Sequence, residues 1–389
     1  MEGTARLYSL LVTLLGQSEQ WADVRHLYTL TWMVIGLIQS GWISLTKWGA
    51  YMHSRALFAQ SKQRRFSRWL HNPRINVQRL YNPLIQAALS RWEESVLYVS
   101  LDTTMLWNEY CIIRASVIYR GRAVLLAWRV LAHQSSSVAV HRYKKLLNRV
   151  ARILPKGIKA ILLADRGFID TDLMAHCEQL GWKYRIRVKQ DFWVCRPLQA
   201  LCQIRDFHLG LGEAVLLQGV KLTKTNPYGP VYLALGREGL GGELWAIVSN
   251  KPTTLQTFRE YGLRFDIEEN FLDDKSNGFQ LESSEIRSAM ALSRLCLVLA
   301  VATLYLTAQG TQVVAQGKRR WVDPHWNRGN SYLRIGWEWV KSALTNGWDL
   351  VQTLCLSGFP DPEPAKASRK QDNNKSQLEF TVRNYKYIC

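Results

Sequence analysis

The sequence predicts an α/β protein: a mixed sheet with helices on both faces, a β-rich insertion within it, and helical regions at either end. Three observations carry that reading. Short apolar, β-branched runs alternate with helical stretches between about residues 95 and 190. A glycine-rich stretch, about 192–250, then breaks the alternation. The regions 1–94 and 311–360 read as helical.

In the first region, apolar residues recur at helical spacing through Leu27, Leu30, Val34, Leu37 and Ile38. Gln39-Ser40-Gly41 interrupts them, and a second helical run begins near Ile43. Two helices joined by a short turn predict either a helix-turn-helix or a plain helical hairpin. Lys62, Arg64, Arg65, Arg68, Arg74 and Arg79 follow with no acid among them. A solvated face is one reading. Phosphate contact by Arg64, Arg65 and Arg68 is the other.

Val96–Leu101 reads as a buried strand ended by Asp102. Tyr110–Arg120 and Arg122–Leu131 predict a hairpin about Gly121. Val138–Leu154 predicts a helix, stopped by Pro155 and Gly157. KAILLA at Lys159–Ala164 is a second buried strand, running into Asp165. Thr171–Leu180 is a helix closed by Gly181, and KYRIRVK from Lys183 alternates as a strand. The insertion ends in the strand LWAIVSN, which contains Trp245. A helix from about Thr254 and an apolar helix over Ile286–Gln309 complete the core. The last region, 361–389, has a Pro-, Lys-, Asn- and Ser-rich composition that predicts a disordered basic tail.

On one continuous helix at 100° per residue, Tyr261, Arg264, Glu268 and Lys275 fall within about 60° of each other. The stripe is a carboxylate between two cations and a phenol. Such a face packs poorly and suits a metal ion and phosphates, although a solvated helix with paired charges has the same pattern. Glu269 points about 100° away from Glu268.

Fifty Lys and Arg oppose 31 Asp and Glu, a net charge of +19. That excess favours a polyanionic partner, most simply nucleic acid. No basic amphipathic helix for a membrane surface is evident, and the apolar run Leu295–Leu306 is too short to cross a bilayer. Seven scattered Cys without CxxC spacing predict a reducing compartment and no structural zinc. Together these predict a soluble intracellular protein.

Asp102, Asp165 and Glu268 are the acids in distinctive contexts. Each has a structural alternative, as a turn cap, a helix cap or the partner of Arg264. Together they match two-metal phosphoryl chemistry, in which two hard divalent ions roughly 3.5–4 Å apart bridge the attacking and leaving oxygens.

The spacing Y-x2-R-x3-E-x6-K, with LDTT at Asp102 and ADRGF at Asp165, resembles the bacterial insertion-sequence transposases of family four. The resemblance covers roughly residues 95–310. It implies a cut-and-paste DDE enzyme with a ribonuclease-H-like core and an insertion before the third acid. It also implies that Asp102, Asp165 and Glu268 bind two Mg²⁺, with Mn²⁺ as a substitute. Tyr261, Arg264 and Lys275 would hold phosphates of the transposon end. Trp245 matches a base-stacking Trp of relatives, and Arg187 a phosphate-contacting Arg. The implied partners are double-stranded DNA, as terminal inverted repeats and target, and a second protomer in the synaptic complex. The implied location is the bacterial cytoplasm, on the nucleoid when DNA is bound. The C-terminal helical region is then the dimerisation candidate. A structure-selective nuclease or resolvase and a non-catalytic DNA-binding descendant are the alternatives.

Overall fold

A computed structural model describes residues 2–17, 21–92, 96–196, 199–267, 278–364 and 379–383. Five helices open the chain: α1 (Glu2–Gly16), α2 (Val24–Ser40), α3 (Leu45–Gly49), α4 (Ala59–His71) and α5 (Val77–Leu89). Helix α2 starts where Asp23 accepts from the Arg25 N–H and ends at Gly41, whose φ of 66° suits glycine. The second helix of the expected pair, α3, has only five residues, and its Trp48 packs against Gly36 of α2. It is a single turn of helix with Trp48 and Gly49 buried and Thr46 and Lys47 exposed, too short to serve as a recognition helix.

Next come β1 (Val96–Leu106), β2 (Tyr110–Tyr119), β3 (Arg122–Ala132), α6 (Val140–Ile153), β4 (Lys159–Ala164), α7 (Thr171–Gln179) and β5 (Lys183–Arg187). The β2–β3 turn falls on Arg120 and Gly121, both at positive φ, which suits a tight hairpin. Strand β1 runs five residues beyond the predicted Leu101, because its antiparallel pairing with β2 continues to Leu106↔Tyr110.

The insertion supplies β6 (Trp193–Cys195), β7 (Cys202–Gln203), β8 (Glu213–Leu222), β9 (Tyr228–Arg237) and β10 (Leu244–Ser249). It does not form a separate layer. The sheet order is β3-β2-β1-β4-β5-β10-β9-β8-β6-β7, so the insertion extends the same mixed sheet from β5 outward. Strands β1, β4 and β5 are mutually parallel, and their neighbours on either side are antiparallel. Residues 110–117 of β2 are all buried, as expected for a strand covered on both faces.

After the sheet come α8 (Leu255–Gly262), α9 (Ala289–Ala315) and α10 (Tyr332–Asn346). Helix α9 has 27 residues, far more than the apolar run marked in the sequence, and is long and apolar enough to cross a membrane by length and composition. It is the central core helix here: 78% of its most apolar window is buried. Its Arg294 hydrogen bonds the carbonyls of Leu70 and Ile75 beneath α4 and α5. The apolar residues of α1–α5, the sheet, α9 and α10 form one continuous core, so 1–94 is not a separate body.

The tail also departs from expectation. Thr381–Val382 forms β11, pairing parallel with β8.

Candidate active site

The parallel register of β1 and β4 builds the centre of the site. The last pair is Leu101↔Ala164, so Asp102 and Asp165 sit one residue beyond it on adjacent strands. Neighbouring strands run about 4.8 Å apart, so the two residues sit side by side just past the end of the parallel β1–β4 pairing. Each is oriented by the next main-chain N–H. Asp102 Oδ1 accepts from Thr103 at 2.7 Å, and Asp165 Oδ1 accepts from Arg166. Asp102 does not end its strand, as the sequence suggested, but sits within β1 opposite Arg114 of β2.

The cationic wall comes from the segment after the insertion. Helix α8 begins at Thr254, whose side chain accepts from the Gln256 N–H, and ends at Gly262. The chain then turns. Arg264, Asp266 and Ile267 each donate to the carbonyl three residues back, to Tyr261, Leu263 and Arg264. The helix expected from about Thr254 through Lys275 is therefore interrupted by a turn at Leu263–Arg264, with residues 265–267 helical again. A projection at 100° per residue does not carry across that break. Glu268, Glu269 and Lys275 lie outside the described residues, so the stripe is seen only in its first two members.

Those two members face the acids. Arg264 Nη1 donates to Asp102 Oδ2 at 3.1 Å, with side-chain exposures of 7% and 17%. Tyr261 is fully buried. Burial pushes its phenol up to about 12; Asp165 pushes the same way, while Arg264 and Arg187 oppose it. Asp165, Arg187 and Arg264 thus share one electrostatic neighbourhood around Tyr261. The phenol stays protonated at neutral pH, so it can donate but not act as a base. Among the described residues no partner satisfies its hydroxyl.

Arg187 ends β5, pairs with Glu243 at 2.5 Å, and lies 3.9 Å above the Trp245 ring. Trp245 is 3% exposed and packs edge-on against Tyr261 at 5.9 Å and Phe265 at 6.1 Å. It walls a small second core formed with Ala214, Ala234, Ile247, Phe258 and Tyr261. Stacking on a base requires Arg187 or the ring to move. Arg64, Arg65 and Arg68 belong to α4, which packs on α2, α3 and α9. Arg65 points inward to Thr29, while Arg64 and Arg68 are exposed.

Three residues were not anticipated. Buried Arg185 clamps α8 to the sheet, reaching Glu260 at 2.8 Å and Ser249 of β10. Its signal was the strand alternation that puts it on the same face as Arg187. Arg114, the one cation in YCIIRASVIY, sits opposite Asp102, a placement that only the hairpin register reveals. Phe380, from the tail, packs on Phe258 at 4.4 Å and against Gly236.

The alkaline limb of stability tests the buried phenol. Below pH 10 the protonated phenol is accommodated in both states. Between 10 and 12 only the unfolded state ionises, so stability falls. At pH 11, Tyr261→Phe is expected to lose about 1 kcal/mol less than wild type, by denaturant unfolding. Equal losses would mean that the phenol is not held neutral.

The donor set suits a hard divalent cation. Two carboxylates are fixed where the parallel pairing of β1 and β4 ends, Asp102 within β1 and Asp165 just past β4, each with one oxygen oriented by a main-chain N–H. The fold and site define an α/β protein with paired acids and a cation-walled edge.

No family model and no curated protein matches the sequence. Among solved structures, the chain is similar to a piggyBac transposase in its synaptic complex with hairpin DNA, determined by cryo-electron microscopy. That similarity has a TM-score of 0.44 at 11% identity, covering 97% of this chain and 83% of that one.

Proposed function

We propose that the chain is a DDE DNA transposase on a ribonuclease-H-like core, cleaving transposon ends and joining them to target DNA. The observation that carries the reading is the register placing Asp102 beside Asp165, with Arg264 paired to Asp102. In this reading Asp102, Asp165 and Glu268 hold two Mg²⁺ or Mn²⁺. The ions supply an activated water and charge stabilisation for in-line displacement at phosphorus.

The chain's own groups bind and orient. Arg264 neutralises Asp102 until a cation takes its place, and is then available to a phosphate. Tyr261 donates to a phosphate oxygen once its buried hydroxyl is uncovered, and Lys275 adds positive charge. Arg187 holds the Trp245 ring, which becomes a platform for an extruded base once uncovered. Arg64 and Arg68 contact the duplex backbone further away, fixing register without reading sequence. The working form is a homodimer on paired ends in the bacterial cytoplasm.

The test uses the DNA that flanks the coding region on both sides, in which this reading expects terminal inverted repeats, with Mg²⁺. Wild type is expected to cut at the repeat ends and transfer the freed 3′ ends to target, and Asp165→Asn to do neither. Identical products from both proteins would end the catalytic reading. Cleavage of branched substrates without transfer would favour a structure-selective nuclease.

The tail bears on the same site. Phe380 caps the core that backs Tyr261 and Trp245, and Arg383 pairs with Glu213 at 2.9 Å. Phe380→Ala is expected to cost about 1–2 kcal/mol in denaturant unfolding, because a half-buried ring leaves an apolar pocket. A change below about 0.3 kcal/mol would mean that the tail does not dock in solution.

A further inference from the structure

Among the described residues, the most exposed pair of adjacent apolar side chains lies at the entry to α4. Leu57 is 90% exposed and Phe58 75% exposed. Residues 24–92 contain ten Lys and Arg and no Asp or Glu. Arg55 precedes the pair. Arg64 and Arg68 follow it on the outer face of α4, about 6 Å apart at one helical turn. All three are exposed.

The opposite face of α4 is anchored. Phe66 packs edge-on against Trp48 at 6.2 Å, and Trp69 Nε1 donates to the His26 carbonyl at 3.0 Å. The pair therefore projects from the tip of a held helix. Singly exposed apolar side chains are common on protein surfaces; two adjacent ones this exposed, ringed by cations, are a contiguous patch of the kind that marks an interaction site.

We propose that Leu57 and Phe58 form an apolar wedge that enters between base pairs of duplex DNA gripped by Arg55, Arg64 and Arg68. The proposal rests on the reading of DNA as substrate. Apolar wedges of Leu and Phe, flanked by cations, open a base step and bend the duplex so that more of it meets the protein. Charge selects this occupant over others. A second copy of the same face would bring two acid-free surfaces together, and a protein partner would need a strongly acidic rim. A membrane surface suits a long amphipathic helix better than two residues at a tip.

The experiment binds the full chain, without divalent metal, to a mixed-sequence duplex carrying a fluorescent adenine analogue at several steps. Wild type is expected to bind and to raise the analogue's emission as steps unstack. Leu57→Ala/Phe58→Ala should bind on the order of tenfold more weakly, lose the rise, and keep the salt dependence and melting temperature. Arg64→Ala/Arg68→Ala should keep the rise at saturation but reduce the salt slope by about 2.

Wild-type affinity and emission in the Leu57–Phe58 variant would overturn the wedge. So would binding to anionic phosphatidylglycerol vesicles that depends on the pair while duplex binding does not. Wild-type binding without any rise removes the wedge alone and leaves the DNA reading standing. No binding to any duplex, including the DNA that flanks the coding region, removes both.

Discussion

Gly310→Ala is expected to lower the unfolding free energy by about 3 kcal/mol or more, and Gly336→Ala by a similar amount. Intrinsic propensity argues the other way, since alanine in a helix interior is favoured over glycine by about 1 kcal/mol. The crossing of α9 and α10 decides the sign. A Cβ on Gly310 would lie 1.9 Å from the Tyr332 carbonyl oxygen. A Cβ on Gly336 would lie 1.8 Å from the Leu306 carbonyl oxygen and 2.7 Å from the Gly310 nitrogen. These neighbours are main chain, so no rotamer change relieves the contact and the helices must separate. Separation strips apolar contact from both helices at once. Gly239→Ala, with nothing within 4 Å of its added Cβ, is the control and should be neutral. Denaturant unfolding of the three variants decides: a Gly310→Ala loss no larger than the control's would mean that the helices do not cross so closely.

The elements of the central sheet were legible because buried strands are short apolar runs between turn residues. KAILLA and the hairpin about Gly121 were read to within a residue or so. The pairing that matters was not legible. Asp102 was placed at a strand end by its polar neighbours Thr103 and Thr104. Only the register Leu101↔Ala164 sets it beside Asp165, and β2 carries the strand onward. Local propensity also missed the break after Gly262. Helix formers continue through the sequence, but tertiary contacts win: Arg264 turns to Asp102 and Phe265 to Trp245. Phe380 was missed because the tail was read from its Pro-, Lys-, Asn- and Ser-rich stretch; the alternation Phe380-Thr381-Val382 was the available signal, and its place is defined by a sheet edge and by Gly236.

Asp102→Asn and Asp165→Asn are each expected to reduce metal-dependent cleavage on the order of 10³-fold or more, but to differ in their effect on the fold. Both replacements keep the shape and the oxygen that accepts from Thr103 or Arg166, and both remove the charge a divalent cation needs. Their surroundings are not equivalent. Asp102 neutralises Arg264, which is nearly buried, so Asp102→Asn leaves a guanidinium facing an amide. That is expected to cost about 1–3 kcal/mol of stability without metal. Asp165 has no such ion pair among the described residues, so Asp165→Asn should stay within about 0.5 kcal/mol of wild type. Metal separates the roles further. A cation that binds only the folded protein raises its melting temperature by mass action, so Mg²⁺ should stabilise wild type and neither variant. The order of stabilities without metal tests the Arg264 contact, and the shift with Mg²⁺ tests the carboxylate pair, each independently of any DNA substrate. An undiminished Mg²⁺ shift in Asp165→Asn would remove that residue from the metal site. Equal stability of the two variants without metal would mean that Arg264 does not depend on Asp102 for its charge.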